Sequence, residues 1–432
     1  MRAKLLAILA LLTPFATGPV FGQAPMTLAD LERMALAASP SLQQTAADVR
    51  AATGRAKQAG LYPNPVIGAS GDHVAGGPIL RGGDIGGFIE QRVVTAGKLG
   101  LARKAGEQTR LAAEHTQETE RLRVLTAIRS LYYQALGEQR LMAVRKDMAE
   151  LAGRTVKTWR ELANLGQADQ PDVLEADVEA QRAQLAITIA GNALDRTWRE
   201  IAAMVDRPGL RPAVLEGDFD ALPQLDAAQE LEKIYAASPQ LRAAQANRAG
   251  AELRLQRARV EKIPDVMVRG GIRYNRELVG PYPDPGQAGA GASAGQAGAL
   301  APAGTEGFFD IGVQIPLFHR YEGDVAAASA EAERARLEEV RERQALAFRF
   351  AGVYKEYRNA VDIASRYRDS MLPEARQAYE MYLSNFGNMA APYAQVLLTQ
   401  RNLFGLEEEY VTALMAAWRS AVDIEGLLAS GN

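Results

Sequence analysis

The chain of 432 residues contains no cysteine, and this absence excludes several kinds of site. Disulfide bonds, thiolate zinc sites, a cysteine nucleophile and a lipidated N-terminal cysteine all need that side chain. Histidine is almost as scarce, with single residues at His73, His115 and His319, so a histidine-based metal centre is not expected. The sequence therefore predicts a protein that is not lipidated and holds no metal.

Motifs for catalysis and nucleotide binding are missing as well. No HExxH, GxSxG, P-loop or strand-following GxGxxG pattern occurs, so neither an enzyme nor a cofactor is predicted. The formal charge of −3 gives no basic surface for nucleic acid. The acidic run Glu407–Glu409 is interpreted as a solvated helix flank rather than a cation site.

Long hydrophobic runs are also lacking, and the longest lies at the N-terminus. Residues 1–22 are typical of a secretory signal peptide, with Arg2 and Lys4 ahead of the apolar stretch Leu5–Leu12. An N-terminal membrane anchor is the alternative, but the apolar stretch is shorter than the roughly 20 residues that a span needs. The mature protein is therefore expected to be exported, and strands would have to make any membrane crossing.

Short matches recur in order along the chain and predict a tandem duplication. Ser39-Pro40 recurs as Ser238-Pro239, and Asn164-Leu165-Gly166 recurs as Asn385-Phe386-Gly387. Several such matches in the same order are unlikely to arise by chance.

The duplication predicts the domain organisation. Residues 23–215 form the first structural repeat and residues 216–432 the second. A Gly- and Ala-rich insert, 281–307, separates the two strands of the second repeat. Its composition cannot build a core, so we interpret it as a flexible extracellular loop whose deletion should leave assembly intact.

Helices dominate both repeats. Residues 98–164 contain no proline, and within them a seven-residue repeat runs from Leu141 to Leu162, which predicts one very long coiled-coil helix. In the second repeat a matching seam runs from Leu346 to Met371 at spacings of three and four residues, without a break. Residues 27–60 and 170–204 are predicted to be shorter helices. Each repeat is then a helix, two strands, a long helix, a tight turn and a helix.

The strands carry the argument for a membrane. Asp84–Val93, Asp265–Asn275 and Phe309–Leu317 alternate apolar and polar side chains over about ten residues, which fits transmembrane β-strands. A half-buried sheet of a soluble domain has the same pattern, but the sequence offers no other core for it to cover. Four strands cannot close a barrel, so other copies must complete it. The predicted lipid-facing residues are Val266, Val268, Ile272, Ile311, Val313 and Ile315.

Several motifs together resemble a known family. They are Leu28–Leu42 with its Ser-Pro step, Leu61-Tyr62-Pro63-Asn64-Pro65, Leu372-Pro373-Glu374-Ala375, and the set Tyr382, Asn385, Gly387, Val396-Leu397, Gln400-Arg401 and Leu403. Over essentially the whole mature chain the sequence resembles the TolC-like outer membrane efflux channels. The segment Glu90–Lys98 resembles most the heavy-metal, CzcC-like branch.

The resemblance implies a mainly α fold with transmembrane β-strands, assembled as a homotrimer with a 12-stranded barrel in outer-membrane lipid. It implies a location in the outer membrane of a Gram-negative bacterium, extending into the periplasm. The expected function is a passive exit duct that receives cargo from a periplasmic adaptor and an inner-membrane pump of the RND type. Heavy-metal cations, drugs and type I secreted proteins are the cargo classes. A periplasmic coiled-coil scaffold or adaptor is the alternative from a different class.

The turns between the antiparallel helices should lie at the far ends of the rods, where they can contact a partner end-on. Asp169 and Asp172 lie at the first turn, where a threefold ring would concentrate cations if it faced a pore. The alternative is that they begin helix 170–204, stabilised by its positive N-terminal dipole, and this capping role is favoured. The candidate adaptor contacts are Leu165, Gly166, Gln167, Phe386, Gly387 and Asn388.

Overall fold

Helices make up most of the structure, with four strands between them. The computed structural model describes residues 26–72, 84–166, 169–275, 304–387 and 392–427. The predicted signal peptide, 1–22, lies outside the described residues. None of the described helices carries an apolar stretch of the length that crosses a bilayer.

The first half of the chain follows the predicted order of elements. Its elements are α1 (Leu28–Ala38), α2 (Pro40–Ala59), β1 (Val66–Asp72), β2 (Asp84–Val93), α3 (Lys98–Asn164) and α4 (Gln170–Met204). The predicted bounds of α3, α4 and β2 are confirmed. With 67 residues at 1.5 Å each, α3 is about 100 Å long.

The single helix predicted over 27–60 is wrong, because the structure has two helices there. Ser39, between α1 and α2, has an extended backbone with φ −67° and ψ 114°. The ring of Pro40 disfavours the α conformation at the residue before it, so the first helix ends there. The same break occurs in the second half, where Ser238 precedes Pro239 with φ −57° and ψ 115°.

The second half repeats the succession of the first. Its elements are α5 (Ala227–Ala237), α6 (Pro239–Val260), β3 (Val266–Asn275), β4 (Gly304–Val313), α7 (Glu322–Arg366), α8 (Leu372–Gly387) and α9 (Tyr393–Gly426). A π-helix, Tyr367–Met371, joins α7 and α8. That the two halves, 23–215 and 216–432, arose by tandem duplication stays a prediction.

The π-helix is explained by Pro373, which comes shortly after it in the sequence. Pro373 lacks the N–H that would bond to the carbonyl of residue 369, and its ring crowds that carbonyl; a wider turn relieves both conflicts. A π turn holds one residue more than an α turn. Beyond it, the residues that face the core therefore come one position later in the sequence than the α-helical spacing predicts.

The buried seam of the second long helix shows this advance. Upstream of the π-helix its buried members keep the predicted spacing: Leu346, Phe350, Tyr357, Ala360 and Ala364. Met371, the last residue of the predicted seam, is 38% exposed, so the prediction of an unbroken seam is wrong at this point. Continuing the predicted repeat leads to Glu374 and Asn385, which are exposed, whereas the next residues, Ala375 and Phe386, are buried and half-buried.

The four strands form one antiparallel sheet in the order β1-β2-β3-β4. The two central strands, β2 and β3, therefore come from different halves of the chain. At the end of the sheet nearer the helices, Val93 pairs with Val266, and Val266 pairs with Val313.

The bounds of β4 differ from the predicted strand Phe309–Leu317. Its partner β3 begins at Val266, which pairs with Val313, so the pairing ends there although the alternation continues. Pro316 also lacks the N–H that a ladder needs. Ile315, predicted to be a lipid-facing strand residue, lies beyond the strand. Residues 304–307, assigned to the insert, are strand residues instead, while 281–303 lie outside the described residues.

The chain divides into two compact units, each with its own core. Unit 1 comprises the described residues up to Ser39, Arg123–Ala227 and Ala351–Gly426, and it buries large side chains such as Trp198 and Tyr357. Unit 2 includes Pro40–Leu122 and Ala228–Phe350 with the sheet. Between its helices it buries many alanines, among them Ala52, Ala56, Ala105, Ala112, Ala244 and Ala251.

Candidate functional site

One face of the sheet is apolar. Alternate residues of all four strands form this face: Ile67, Ile85, Ile89, Val93, Val266, Val268, Ile272, Phe309, Ile311 and Val313. Its most exposed members include Ile67 at 77% and Ile272 at 65%. The register brings together the predicted lipid-facing residues Val268 and Ile311 as a direct pair. Contact of this face with lipid remains a prediction.

The opposite face of the sheet carries charges. Arg273 lies between two carboxylates, with Nη1 3.7 Å from Asp84 Oδ2 and Nε 3.4 Å from Glu306 Oε2. Nearer the helices, the register places Arg269 between Glu90 and Asp310. Among the described side chains of this face, the carboxylates of Asp84, Glu90, Glu306 and Asp310 outnumber the guanidinium groups of Arg92, Arg269 and Arg273.

A buried ion pair joins the strands to the helices. Lys98 Nζ lies 2.9 Å from Asp265 Oδ1, and the two side chains are 6% and 8% exposed. Lys98 also donates to the carbonyl of Ile263 at 2.7 Å. Asp265 further accepts from the Thr95 N–H at 3.1 Å and lies 2.6 Å from Arg92 Nη2. Burial alone would raise the pKa of Asp265, but these donors outweigh it and lower the pKa to about 2.

The predicted helical tips lie in Unit 1. Gly166 has a φ of +71° and ends α3 in the left-handed conformation that glycine adopts without strain. Beside it the Leu165 side chain is 71% exposed. At the other tip Phe386 is half-buried and Gly387 is the last residue of α8. Outside the described residues lie the two remaining tip candidates, Gln167 and Asn388.

Asp169 and Asp172 begin α4. Asp169 is the N-cap residue, with φ −92° and ψ 156°, and its N–H donates to Asp172 Oδ2 at 3.3 Å. Carboxylates in the first turn interact favourably with the positive end of the helix dipole. This geometry supports the capping role, while a role in a pore remains a prediction.

Neutralising these aspartates separates the two roles. We expect Asp169→Asn and Asp172→Asn to keep the cation preference of the parent in single-channel recordings, because in the capping role neither carboxylate lies in the conducting path. The start of α4 should also stay intact, because an amide oxygen still accepts the capping hydrogen bond. Asp169→Ala, which removes the N-cap side chain, should lower the stability of this end of α4 by about 0.5–2 kcal/mol. A lost cation preference in either asparagine variant would place that carboxylate in the conducting path.

The acidic run Glu407–Glu409 does not converge on one point. Each carboxylate has its partner on a different helix. Glu407 lies 3.3 Å from Arg376, Glu408 lies 2.9 Å from Arg145, and Glu409 accepts from the hydroxyl of Tyr367 at 2.6 Å. In the part of the chain that the structure describes, no group of three or more histidine or acidic side chains could hold a metal ion.

Comparison with known proteins shows which proteins this chain resembles. Residues 31–206 match the family model described as outer membrane efflux protein. Over this stretch the chain is similar to the outer membrane efflux proteins. Together with the full-length relative described below, this match identifies the protein as an outer-membrane efflux channel.

Solved structures show the same fold over nearly the whole chain. A structure of CusC, described in terms of folding and transmembrane channel formation, matches with a TM-score of 0.73 at 15% identity, covering 94% of this chain and 92% of that one. The outer membrane protein VceC from Vibrio cholerae matches with a TM-score of 0.71 at 18% identity, covering 94% and 96%.

A curated relative extends the likeness in sequence. The efflux protein is 23% identical over 417 residues to the cobalt-zinc-cadmium resistance protein CzcC of Cupriavidus metallidurans. The match covers 95% of this chain and 92% of CzcC.

Proposed function

We propose that this efflux protein is one protomer of a trimeric exit duct. The observation that carries the proposal is the sheet, with its apolar face, its charged face and its two edges at β1 and β4. In lipid, each unpaired backbone group on such an edge costs several kcal/mol, so the edges must pair with other copies. If β4 of one copy pairs with β1 of the next, three copies close 12 antiparallel strands.

The charged face then lines the duct. Its excess of carboxylates favours cations over anions. The similarity to CzcC, whose name states resistance to cobalt, zinc and cadmium, supports heavy-metal cations as the cargo. Drugs and type I secreted proteins are the alternative cargoes. The alternative, a periplasmic scaffold, is disfavoured, because a protein surrounded by water is not expected to expose a whole apolar face of a sheet.

The partners of the duct are a periplasmic adaptor and an inner-membrane pump of the RND type. The helical tips are the surfaces that meet the adaptor. Leu165 supplies an apolar side chain there, 71% exposed, next to the turn at Gly166. Gln167, Phe386, Gly387 and Asn388 complete the candidate contact.

The assembly is tested by native mass measurement in detergent. We expect a mass of three chains, and an unboiled sample should run as a heat-sensitive trimer on a gel. A stable monomer that partitions into the outer-membrane fraction would contradict the closure argument.

The cargo is tested by deleting the gene in its host. We expect increased sensitivity to cobalt, zinc and cadmium salts, restored by the parent gene but not by a variant that fails to assemble. Unchanged metal tolerance together with new drug sensitivity would replace the cation cargo by drugs, while the duct itself would stand.

A further inference from the structure

A row of alternating glycine and phenylalanine crosses the charged face of the sheet. The register aligns Gly68 with Phe88, Phe88 with Gly271, and Gly271 with Phe308. We call these four residues the glycine–phenylalanine row. It is an apolar band between the rows of Arg269 and Arg273.

Gly68 lets the ring of Phe88 lie against the sheet. A Cβ atom on Gly68 would be 2.6 Å from Phe88 Cζ and 2.8 Å from Cε1, closer than real Cβ contacts come. The ring therefore occupies the space that any larger residue at position 68 would need. At Gly271 an added Cβ would be 2.3 Å from the backbone oxygen of Gly87 and 2.7 Å from the Phe308 ring, so this position too has no room for a side chain.

Arg269 also contacts the ring of Phe88. Its guanidinium carbon lies 3.9 Å from the centroid of the Phe88 ring and 5.7 Å from that of Phe308. Such a contact stabilises the pair by a cation–π interaction. Within the described structure, Arg269 Nε has no hydrogen-bond partner, so the stack is the contact that holds this part of the side chain.

We propose that the glycine–phenylalanine row sets the bore of the duct in its membrane-spanning part. The glycines keep the rings flat on the wall, and three copies place six rings at one level. A side chain at position 68 turns the Phe88 ring into the lumen and narrows it. The inference rests on the proposed function, because this face bounds a lumen only if the protein is a duct.

The absence of cysteine allows a local test of the bore. Ser70 lies on the charged face two residues beyond Gly68, towards the end of the sheet away from the helices, and Met267 lies on the same face on the helix side of the row. A reagent that enters from outside the cell must pass the row to reach position 267 but not position 70. Ser70→Cys and Met267→Cys thus report on the two sides of the row.

The experiment labels intact cells with a maleimide on a polyethylene glycol chain too large for general porins. N-ethylmaleimide, which is small, checks that each thiol reacts. In the Met267→Cys background, Gly68→Ala should slow or abolish labelling by the bulky reagent, while labelling of Ser70→Cys stays unchanged. Adding Phe88→Ala to Gly68→Ala should restore labelling at position 267, because the displaced ring is gone.

Gly87→Ala is the matched control. Gly87 lies on the apolar face, where an added Cβ would have its nearest neighbour at 3.8 Å, so labelling should equal that of the parent. Equal labelling of Met267→Cys with Gly68→Ala and with Gly87→Ala would overturn the proposed bore while leaving the duct intact. A Ser70→Cys thiol that reacts with N-ethylmaleimide and never with the bulky reagent would contradict the duct itself.

A folding defect is distinguished by the heat-sensitive trimer on a gel. If Gly68→Ala fails to form it, Phe88→Ala alone carries the test in the Met267→Cys background. Its labelling by the bulky reagent should be faster than that of the parent, because the ring and its stack with Arg269 are lost. An unchanged rate would overturn the proposal.

Discussion

Ile272→Arg is expected to remove the protein from the outer membrane. Ile272 lies in the central part of β3 on the apolar face and is 65% exposed. An arginine that faces the bilayer midplane from a barrel strand costs about 2–4 kcal/mol, and a trimer carries three of them. The heat-sensitive trimer and the outer-membrane fraction of the protein should therefore be lost.

Two neighbouring substitutions are the controls for this result. Met267→Arg places the same charge on the charged face, so it should leave the trimer intact. Val268→Arg also faces lipid near the middle of β3, so it should cost about 2–4 kcal/mol and be lost from the outer membrane like Ile272→Arg. If Ile272→Arg and Met267→Arg assemble equally well, the assignment of the two faces is wrong.

Lys98→Met should cause the largest loss of stability among single changes at the strand–helix junction. It leaves the carboxylate of Asp265, 8% exposed, without its ammonium partner. Removing one partner of a buried ion pair costs about 3–5 kcal/mol, and the remaining donors, Arg92 and Thr95, keep the loss near the lower end. The temperature or denaturant concentration at which the detergent-solubilised trimer dissociates measures the change.

Arg92→Gln is the matched control, because Arg92 contacts the same carboxylate from a position where its side chain is 54% exposed. An exposed partner contributes up to about 1 kcal/mol, so this variant should stay close to the parent. Equal losses in Lys98→Met and Arg92→Gln would show that burial of the pair does not determine its contribution.

The carboxylate of Asp265 also makes the stability of the protein fall at acid pH. The donors around Asp265 hold its pKa at about 2, below the ordinary value of 3.8. A group whose pKa is lowered by folding stabilises the protein above its unfolded pKa, and this contribution is lost as the pH falls from about 4 to 2. The contribution is at most about 2 kcal/mol. Asp265→Asn should lack this part of the dependence of stability on pH. If the acid-unfolding curves of the parent and of Asp265→Asn run parallel between pH 4 and 2, Asp265 is not the group responsible.

Much of the helical architecture could be predicted from local patterns. The bounds of α3 and the start of α4 follow from the proline-free stretch 98–164, part of which keeps a seven-residue repeat, and from the turn residues between the two helices. The local patterns do not show the effects of two prolines. Pro40 breaks the helix predicted over 27–60, and Pro373 shifts the seam that is predicted to run unbroken to Met371.

Features that depend on distant partners could not be predicted. The end of β4 is set by Val266 of β3, which the alternation of residues 309–317 does not reveal. Lys98 and Asp265 are 167 positions apart, and no local pattern connects them. The stacking of Arg269 on Phe88 likewise depends on the register between β2 and β3.

The π-helix at Tyr367–Met371 has a consequence for aligning this protein with its relatives. Beyond it, every residue of α8 occupies the angular position that its predecessor would hold in an uninterrupted α-helix. A relative with a regular helix here must be aligned with a one-residue gap. Without that gap, the counterpart of the half-buried Phe386 would be assigned to an exposed position. Tip residues should therefore be transferred between efflux proteins only after their helical phase has been matched.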